Sequence, residues 1–256
     1  MSLPSRPIIL IPARMAATRL PGKPLAEIEG CPLIVHVYRR ACEADLGPVV
    51  VACAEAEIAA AIEKEGGRAV LTNPACPSGS DRIFEALEKI DPEKNHDAVI
   101  NLQGDLPAID PALLRAVFAP LAERDVDIAT LAFEIKEPRE SDDPNVVKAV
   151  AGFAPAGKQG MTPPQTARAL YFTRARAPSG EGPLYHHVGI YAYRRAALER
   201  FVSLAPGVLE QREKLEQLRA LEAGMRIEVA LVDTVPPGVD TPADLEQARA
   251  LLKSRS

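Results

Sequence analysis

Residues 7–24 read PIILIPARMAATRLPGKP. The opening run, Pro7–Pro12, is apolar throughout rather than alternating, which predicts a strand buried on both faces. The segment after it holds Arg14, Arg19 and Lys23 with one glycine, Gly22, and reads as a loop leaving the strand's carboxyl end. The same grammar repeats outward. Pro48–Ala52 (PVVVA), Ala69–Thr72 and Ala98–Leu102 (AVINL) are short apolar runs predicted as strands. Helical spacing predicts helices over Pro32–Glu43, with Leu33, Ile34, Val37 and Ala41 inward, and over Glu55–Glu65, stopped by Gly66-Gly67. Further helices are expected over Ser80–Ile90, with Ser80 as N-cap, and over Pro111–Glu123. Buried strands alternating with helices predict an α/β fold: a three-layer α/β/α, Rossmann-like architecture with a mostly parallel mixed sheet. Ligands in such folds lie beyond the carboxyl ends of the strands, here after Ile11, Thr72 and Leu102.

The second half changes character. Strands are expected at Asp127–Ile135, Val146–Val150, His187–Tyr193 and Ile227–Val232, within a stretch, Pro138–Pro183, that is rich in Pro and Gly. Gly152–Gln165 reads as an irregular loop. One amphipathic helix is expected over Leu209–Glu222, with Leu215, Leu218 and Leu221 on its apolar stripe. A terminal helix, Asp244–Leu252, is capped by Thr241 or Asp244. There is no internal repeat and no low-complexity tract.

The chain has 256 residues, 47% hydrophobic and 25% charged, which suits one large globular domain or one carrying a smaller lobe. No apolar run approaches the roughly 18 residues of a membrane span, and Ile8–Ile11 is too short for a signal-peptide core, so a cytoplasmic protein without membrane association is expected. A net charge of −5 without a Lys/Arg block disfavours nucleic acid as a partner. With no Trp and 4% aromatic residues, stacking platforms for single strands are not expected either. Cys31, Cys42, Cys53 and Cys76 form no C-x-x-C pair and read as free thiols.

Four constellations carry chemistry. In the first, residues 12–24, Arg14 can fork onto phosphate oxygens and Lys23 supplies a point charge. It is neither a P-loop nor a dinucleotide fingerprint, and a solvated basic loop is the alternative. The second, Asn101–Pro107 (NLQGDLP), puts Asp105 beside Gly104 at a strand end, which suits Mg²⁺ completed by phosphate and water, or a plain turn. The third, Gly238–Leu245 (GVDTPADL), offers Asp240 just before a helix start, where simple N-capping is the alternative and fits Thr241 and Asp244 better; if Asp240 converges with Asp105, the pair makes a two-carboxylate metal site. The fourth, Pro77–Arg82 (PSGSDR), opens a helix with small residues that admit a nucleoside or simply make a capped helix start, and Arg82 can serve phosphate or structure.

Taken in order, IPARMAATRLPGKPL, PSGSDRI, NLQGDLP, YFTRARAP, HHVGIYAYR, LEQLR and GVDTPADL resemble the 3-deoxy-manno-octulosonate cytidylyltransferases (CMP-KDO synthetases), from Ile8 to Leu252. The N-terminal motif is shared across sugar nucleotidyltransferases; the later ones point to the KDO enzyme. The resemblance implies a Mg²⁺-dependent, dimeric enzyme that joins CTP and KDO into CMP-KDO and diphosphate for lipopolysaccharide synthesis. It implies one nucleotidyltransferase domain over 1–256. Within it, 1–130 is mainly CTP-binding, 131–225 a smaller KDO-binding and dimerisation lobe, and 226–256 a return to the main sheet. By motif, Arg14 and Lys23 would hold the CTP phosphates. Ala13, Ser78, Gly79 and Arg82 would line the nucleotide side, with Gln103 between nucleotide and sugar. Asp105 and Asp240 would hold Mg²⁺, so that Arg14, Lys23, Asp105 and Asp240 form the catalytic set. Arg19, Arg174, His187, Tyr191, Glu216 and Gln217 would face KDO. His36, His96 and His186 receive no role.

The sequence departs from the family at Leu106, where the usual motif has Glu, and over Ala151–Arg168, which matches poorly. His187 suits a hydroxyl hydrogen bond better than a general base. Tyr191 alternates with Gly189 and Tyr193, and core or dimer interface is the lesser alternative for it. Two alternatives stand beside this reading: a CTP-dependent transferase for another sugar acid, such as sialic acid, and a noncatalytic nucleotide-binding module on the same fold.

Overall fold

The computed structural model describes residues 2–16, 19–153, 165–233, 235 and 237–253. The chain divides into two compact units, Ser5–Arg115 with Pro236–Ser256 (the nucleotide-motif unit) and Ala116–Val235 with Met1–Pro4 (the central unit).

The nucleotide-motif unit begins with β1 (Pro7–Ala13), a 3₁₀ turn at Lys23–Leu25 and the short hairpin β2 (Glu27–Ile28) and β3 (Cys31–Pro32). It continues through α1 (Leu33–Glu43), β4 (Val49–Cys53), α2 (Ala56–Glu63), β5 (Arg68–Leu71), α3 (Gly79–Ile90), β6 (Ala98–Asn101) and α4 (Pro111–Phe118). The strand order is β5–β4–β1–β6, every pairing parallel. Every residue of β4 and β6, and all but one of β1, is buried, as strands covered on both faces require. Leu33, Ile34, Val37 and Ala41 of α1 are buried as expected, joined by Val35.

The central unit runs through β7 (Ile128–Glu134), α5 (Pro138–Asp142), β8 (Lys148–Ala151), β9 (Thr166–Thr173), β10 (Tyr185–Arg194), α6 (Arg195–Ser203), α7 (Val208–Glu213), α8 (Leu218–Glu222) and β11 (Ile227–Leu231). Its strand order is β10–β7–β11–β9–β8; only β7–β11 is parallel. β8 also meets β10 at His186↔Lys148, so the strands close on themselves at that bridge. The chain then returns to the nucleotide-motif unit as α9 (Pro242–Lys253).

Several expectations need correction. The N-cap of α3 is Ser78, not Ser80, because the Ser78 hydroxyl accepts the Asp81 N–H (3.1 Å). The terminal helix resolves in favour of Thr241 as cap. Its hydroxyl accepts from Asp244 N–H (3.2 Å), and the Asp244 carboxylate takes the Thr241 N–H in return (2.8 Å). The single helix expected over Leu209–Glu222 is two, broken at Lys214, whose φ of 56° is left-handed. Strand β9 lies in the Pro- and Gly-rich stretch that offered no strand signal beyond Val146–Val150. Of the loop expected at Gly152–Gln165, residues 154–164 lie outside the described residues. All four cysteines are free thiols, and burial pushes Cys53 up to about 11.

Candidate functional site

In the nucleotide-motif unit a cavity of about 370 Å³ opens beyond the carboxyl ends of β1 and β6. Ala13, Arg14, Arg19 and Lys23 line it from the first motif, Ser78, Gly79 and Arg82 from the start of α3, and Gln103, Asp105 and Asp240 complete it. Every residue expected on the nucleotide and metal side therefore lines one cavity.

Local chemistry places each group. Gly22, with φ 73°, precedes the 3₁₀ turn that carries Lys23, a conformation that costs glycine least. The loop between β1 and that turn is pinned at Met15, whose N–H goes to Glu55 Oε2 (3.0 Å) and whose C=O accepts from Gly22 (3.2 Å). Gly104 is required by close approach: a Cβ there would stand 2.7 Å from the Pro12 carbonyl and 3.2 Å from Ile34. Asp105 and Asp240 are brought together by main chain, since Val239 N–H donates to the Asp105 carbonyl (2.9 Å). The N-terminus of α3 contributes oriented N–H groups to a wall that favours negative charge.

The two carboxylates converge on one ammonium. Lys23 Nζ lies 3.0 Å from Asp105 Oδ2 and 3.0 Å from Asp240 Oδ1, and Arg19 bonds the other oxygen of Asp240 (2.9 Å). Burial works against the Lys23 ammonium, but the two carboxylates outweigh it and hold its pKa above the usual lysine value. Burial raises the Asp105 carboxyl above the usual range; Asp240 adds to this and Lys23 opposes it. Two hard oxygens focused on one point fit a Mg²⁺ ion, which takes one or two carboxylates and completes its shell with phosphate and water. Among the described residues no cluster of three or more His, Cys, Asp or Glu offers a metal a fuller cage. Leu106 is buried, its side chain beside Gly238. Arg82 is also buried, and its hydrogen bonds go to Thr72 Oγ1 (2.6 Å) and the carbonyls of Asn73 (3.3 Å) and Pro74 (3.5 Å), so it braces the turn before α3.

The residues expected to face the sugar acid, Arg19 apart, lie in the central unit. His187 and Tyr191 are four positions apart on β10, which would separate them by about 13 Å in a regular strand. Their rings are 5.6 Å apart. The register shift between Val188 and Tyr191 accounts for this: Val188 faces Leu131 while Tyr191 already faces Thr130. The simple alternation expected for Gly189, Tyr191 and Tyr193 is therefore broken between Gly189 and Tyr191 and kept between Tyr191 and Tyr193, whose rings lie 5.8 Å apart. Thr130 holds the bulge, its hydroxyl lying 3.0 Å from the Val188 carbonyl, 2.9 Å from that of Ile190 and 3.0 Å from His187 Nε2. With its proton committed to a carbonyl, that hydroxyl accepts from His187 Nε2–H and leaves Nδ1 as an acceptor. Burial pushes His187 down to about 3 and raises the Tyr191 phenol well above its ordinary value, so both are neutral at physiological pH.

Glu216 and Gln217 follow the break at Lys214 rather than sitting mid-helix; Gln217 stands at the N-cap position of α8, makes no side-chain cap bond and is buried. Gln217 Nε2 is buried and donates to no protein acceptor among the described residues, a polar group whose desolvation a ligand oxygen would offset. Arg174 donates from Nε to the Glu213 carbonyl (2.9 Å) and from Nη1 to the Pro144 carbonyl (2.9 Å).

A family model described as cytidylyltransferase matches residues 8–227. The chain belongs to the cytidylyltransferase family. Among relatives, the 3-deoxy-manno-octulosonate cytidylyltransferase of Paramagnetospirillum magneticum is 65% identical over 248 residues, covering 97% of this chain and 98% of its own. That of Rhodospirillum centenum is 66% identical over 253 residues, covering 99% and 96%. Among solved structures, CMP:2-keto-3-deoxy-manno-octonic acid synthetase complexed with CTP superposes with a TM-score of 0.87 at 38% identity, over 98% of this chain and 100% of that one. The 4-diphosphocytidyl-2C-methyl-D-erythritol synthase of Anaerococcus prevotii, at 14% identity and TM-score 0.63, shares the fold.

This cytidylyltransferase also uses residues that sequence reasoning passed over. Thr130 carried a signal, a lone polar side chain in the apolar run IATLAF. Lys148 did too, a charge inside the predicted strand Val146–Val150. Glu55 and Glu213 carried none, since each acts on a segment far away in sequence.

Proposed function

We propose that this cytidylyltransferase joins CTP and KDO to give CMP-KDO and diphosphate, activating the sugar acid for lipopolysaccharide synthesis. The observation that carries the proposal is the meeting of Asp105 and Asp240 at Lys23, in a chain more than 60% identical, end to end, to relatives of that name. The anomeric C2 hydroxyl of KDO attacks the α-phosphorus, and the bond to the departing diphosphate breaks in line. Arg14 and Lys23 neutralise the phosphates. Asp105 and Asp240 would hold Mg²⁺, which would share the phosphate charge and make the attacking hydroxyl more acidic. Ala13, Ser78, Gly79 and Gln103 shape the nucleotide wall, with Arg82 behind it. Arg174 meets the KDO carboxylate through the end of its fork. Arg19, which the family reading also turns toward KDO, first has to leave Asp240.

His187, held neutral by burial, is too weak a base to deprotonate the hydroxyl and instead accepts a hydrogen bond from it or from a neighbouring one. Tyr191, Glu216 and Gln217 complete the KDO side. The enzyme works as a cytoplasmic homodimer; among the described residues no helix is long and apolar enough to cross a membrane.

The test is diphosphate release from purified protein with CTP and Mg²⁺, given KDO, sialic acid or no sugar. Release with KDO alone is expected. Release with sialic acid but not KDO would reassign the acceptor, and CTP binding without release would point to a noncatalytic module.

A further inference from the structure

Residue 174 is fixed at four points. Its N–H donates to Glu213 Oε2 (3.0 Å) and its C=O accepts from Lys148 Nζ (3.2 Å). Its Nε and Nη1 donate to the Glu213 and Pro144 carbonyls. The rest of the frame is equally closed. Glu213 Oε1 takes the Thr173 hydroxyl (2.9 Å), which in turn accepts the Ala175 N–H (3.1 Å). Lys148 is fully buried, and its ammonium also donates to the carbonyls of Asp143 (2.7 Å) and Val146 (2.8 Å). The adjacent Val147 carbonyl accepts the His187 N–H (2.8 Å), so the same strand steadies both residues expected at the sugar acid.

A guanidinium has five N–H donors. Arg174 gives one from Nε and one from Nη1 to neutral carbonyls. The remaining donors, on Nη1 and Nη2, are the end of the fork that pairs with a carboxylate two-to-two. The Glu213 carboxylate, meanwhile, is occupied with a backbone N–H and the hydroxyls of Thr173 and, at 3.4 Å, Tyr171 rather than with the guanidinium. The frame therefore fixes the direction of the fork, and among the described residues no carboxylate pairs with it, which leaves its charge for an anion. Such pre-organisation removes the ordering cost that a free arginine would meet on binding.

We propose that Glu213, at the break after α7, is a positioning residue for the sugar-acid subsite: it presents the Arg174 guanidinium, already oriented, to the substrate carboxylate, with buried Lys148 supporting it from the other side. This rests on the reading that Arg174 meets the sugar acid. Glu213→Gln keeps the shape but sets an amide donor against either the Arg174 N–H or the Thr173 hydroxyl.

The experiment measures KM for KDO and for CTP separately, with kcat, for Glu213→Gln, Arg174→Ala and the double variant. Glu213→Gln is expected to raise the KDO KM about tenfold, with the CTP KM unchanged and kcat within about twofold, as loss of one charge-assisted contact implies. In the Arg174→Ala background it should add nothing further, because both changes act through one guanidinium. Thr173→Val, which removes one bond to Glu213 and keeps its charge, should give a smaller rise in the same direction and serves if Glu213→Gln does not fold. A raised KDO KM for Arg174→Ala but not for Glu213→Gln or Thr173→Val overturns the positioning role. Equal losses for both substrates, or full additivity in the double variant, overturn it as well, in favour of a merely structural role. An unchanged KDO KM in Arg174→Ala overturns the underlying reading of Arg174 itself.

Discussion

Lys23 and Arg174 are both cations set among oxygen atoms, and they are held in opposite ways. Lys23 is bonded to two carboxylates, Asp105 and Asp240, and Arg19 closes the remaining oxygen of Asp240. Each of these charges already has a partner of opposite sign. On the proposed function, phosphate and metal would enter by exchange, Lys23 passing from carboxylate to phosphate as the carboxylates pass from ammonium to metal. Arg174 is bonded to neutral carbonyls that no ligand needs to displace. The nucleotide-motif unit is thus built for partner exchange, and the Arg174 frame for a fixed direction. The difference suits the proposed substrates: a triphosphate–metal complex would bring both signs of charge into the cavity, whereas a sugar acid would bring a single carboxylate.

The comparison breaks first at the carboxylates. Asp105→Asn and Asp240→Asn should each cut Mg²⁺-dependent turnover by at least about a hundredfold while leaving the thermal midpoint within a few degrees of the parent, read by turnover assay and circular dichroism. Near-normal turnover in either variant would remove that residue from the metal site.

Lys23→Met tests exchange directly. Turnover should fall by about a hundredfold, yet Mn²⁺ binding to the nucleotide-free protein, followed by electron paramagnetic resonance, should tighten several-fold, because the internal competitor for the carboxylates is gone. Weaker Mn²⁺ binding would show that Lys23 does not compete for these oxygens.

Thr130→Val probes the fixed side of the molecule. Loss of a fully buried hydroxyl that touches two carbonyls and His187 should cost about 1–3 kcal/mol in urea unfolding and raise the KM for KDO more than that for CTP. A change confined to stability would leave the bulge without a part in substrate binding.

The smallest effect is a pH dependence. An unfolded histidine takes its proton near pH 6.5, whereas folded His187 takes it only near 3. Between those values the unfolded state binds the extra proton, so stability falls as pH falls, by up to about 1.4 kcal/mol per unit. Urea midpoints at pH 6.5 and 5.5 should show a shallower loss in His187→Gln than in the parent. Parallel slopes would mean that the imidazole is not buried neutral.

Much of the nucleotide-motif unit was legible in sequence because its signals are local. Pro7–Pro12 and Ala98–Leu102 are continuous apolar runs, and a strand so composed has few alternatives to burial. Gly22 and Gly104 mark a turn and a close approach that few other residues permit. The central unit was legible in its motifs and not in its geometry. The break at Lys214 is held by hydrogen bonds that Glu213 receives from Thr173 and Arg174, some forty positions earlier. The bulge that sets His187 against Tyr191 is held by Thr130, on a neighbouring strand.

The sequence by itself determined which side chains are present, the alternation of buried strand and helix, and membership of the cytidylyltransferase family. Only the tertiary structure decided that Asp105 and Asp240 share one ammonium, that His187 and Tyr191 lie ring to ring, and that Glu213 holds Arg174. Propensity and periodicity act over a few residues, whereas each of those contacts joins segments that meet only once the chain has folded.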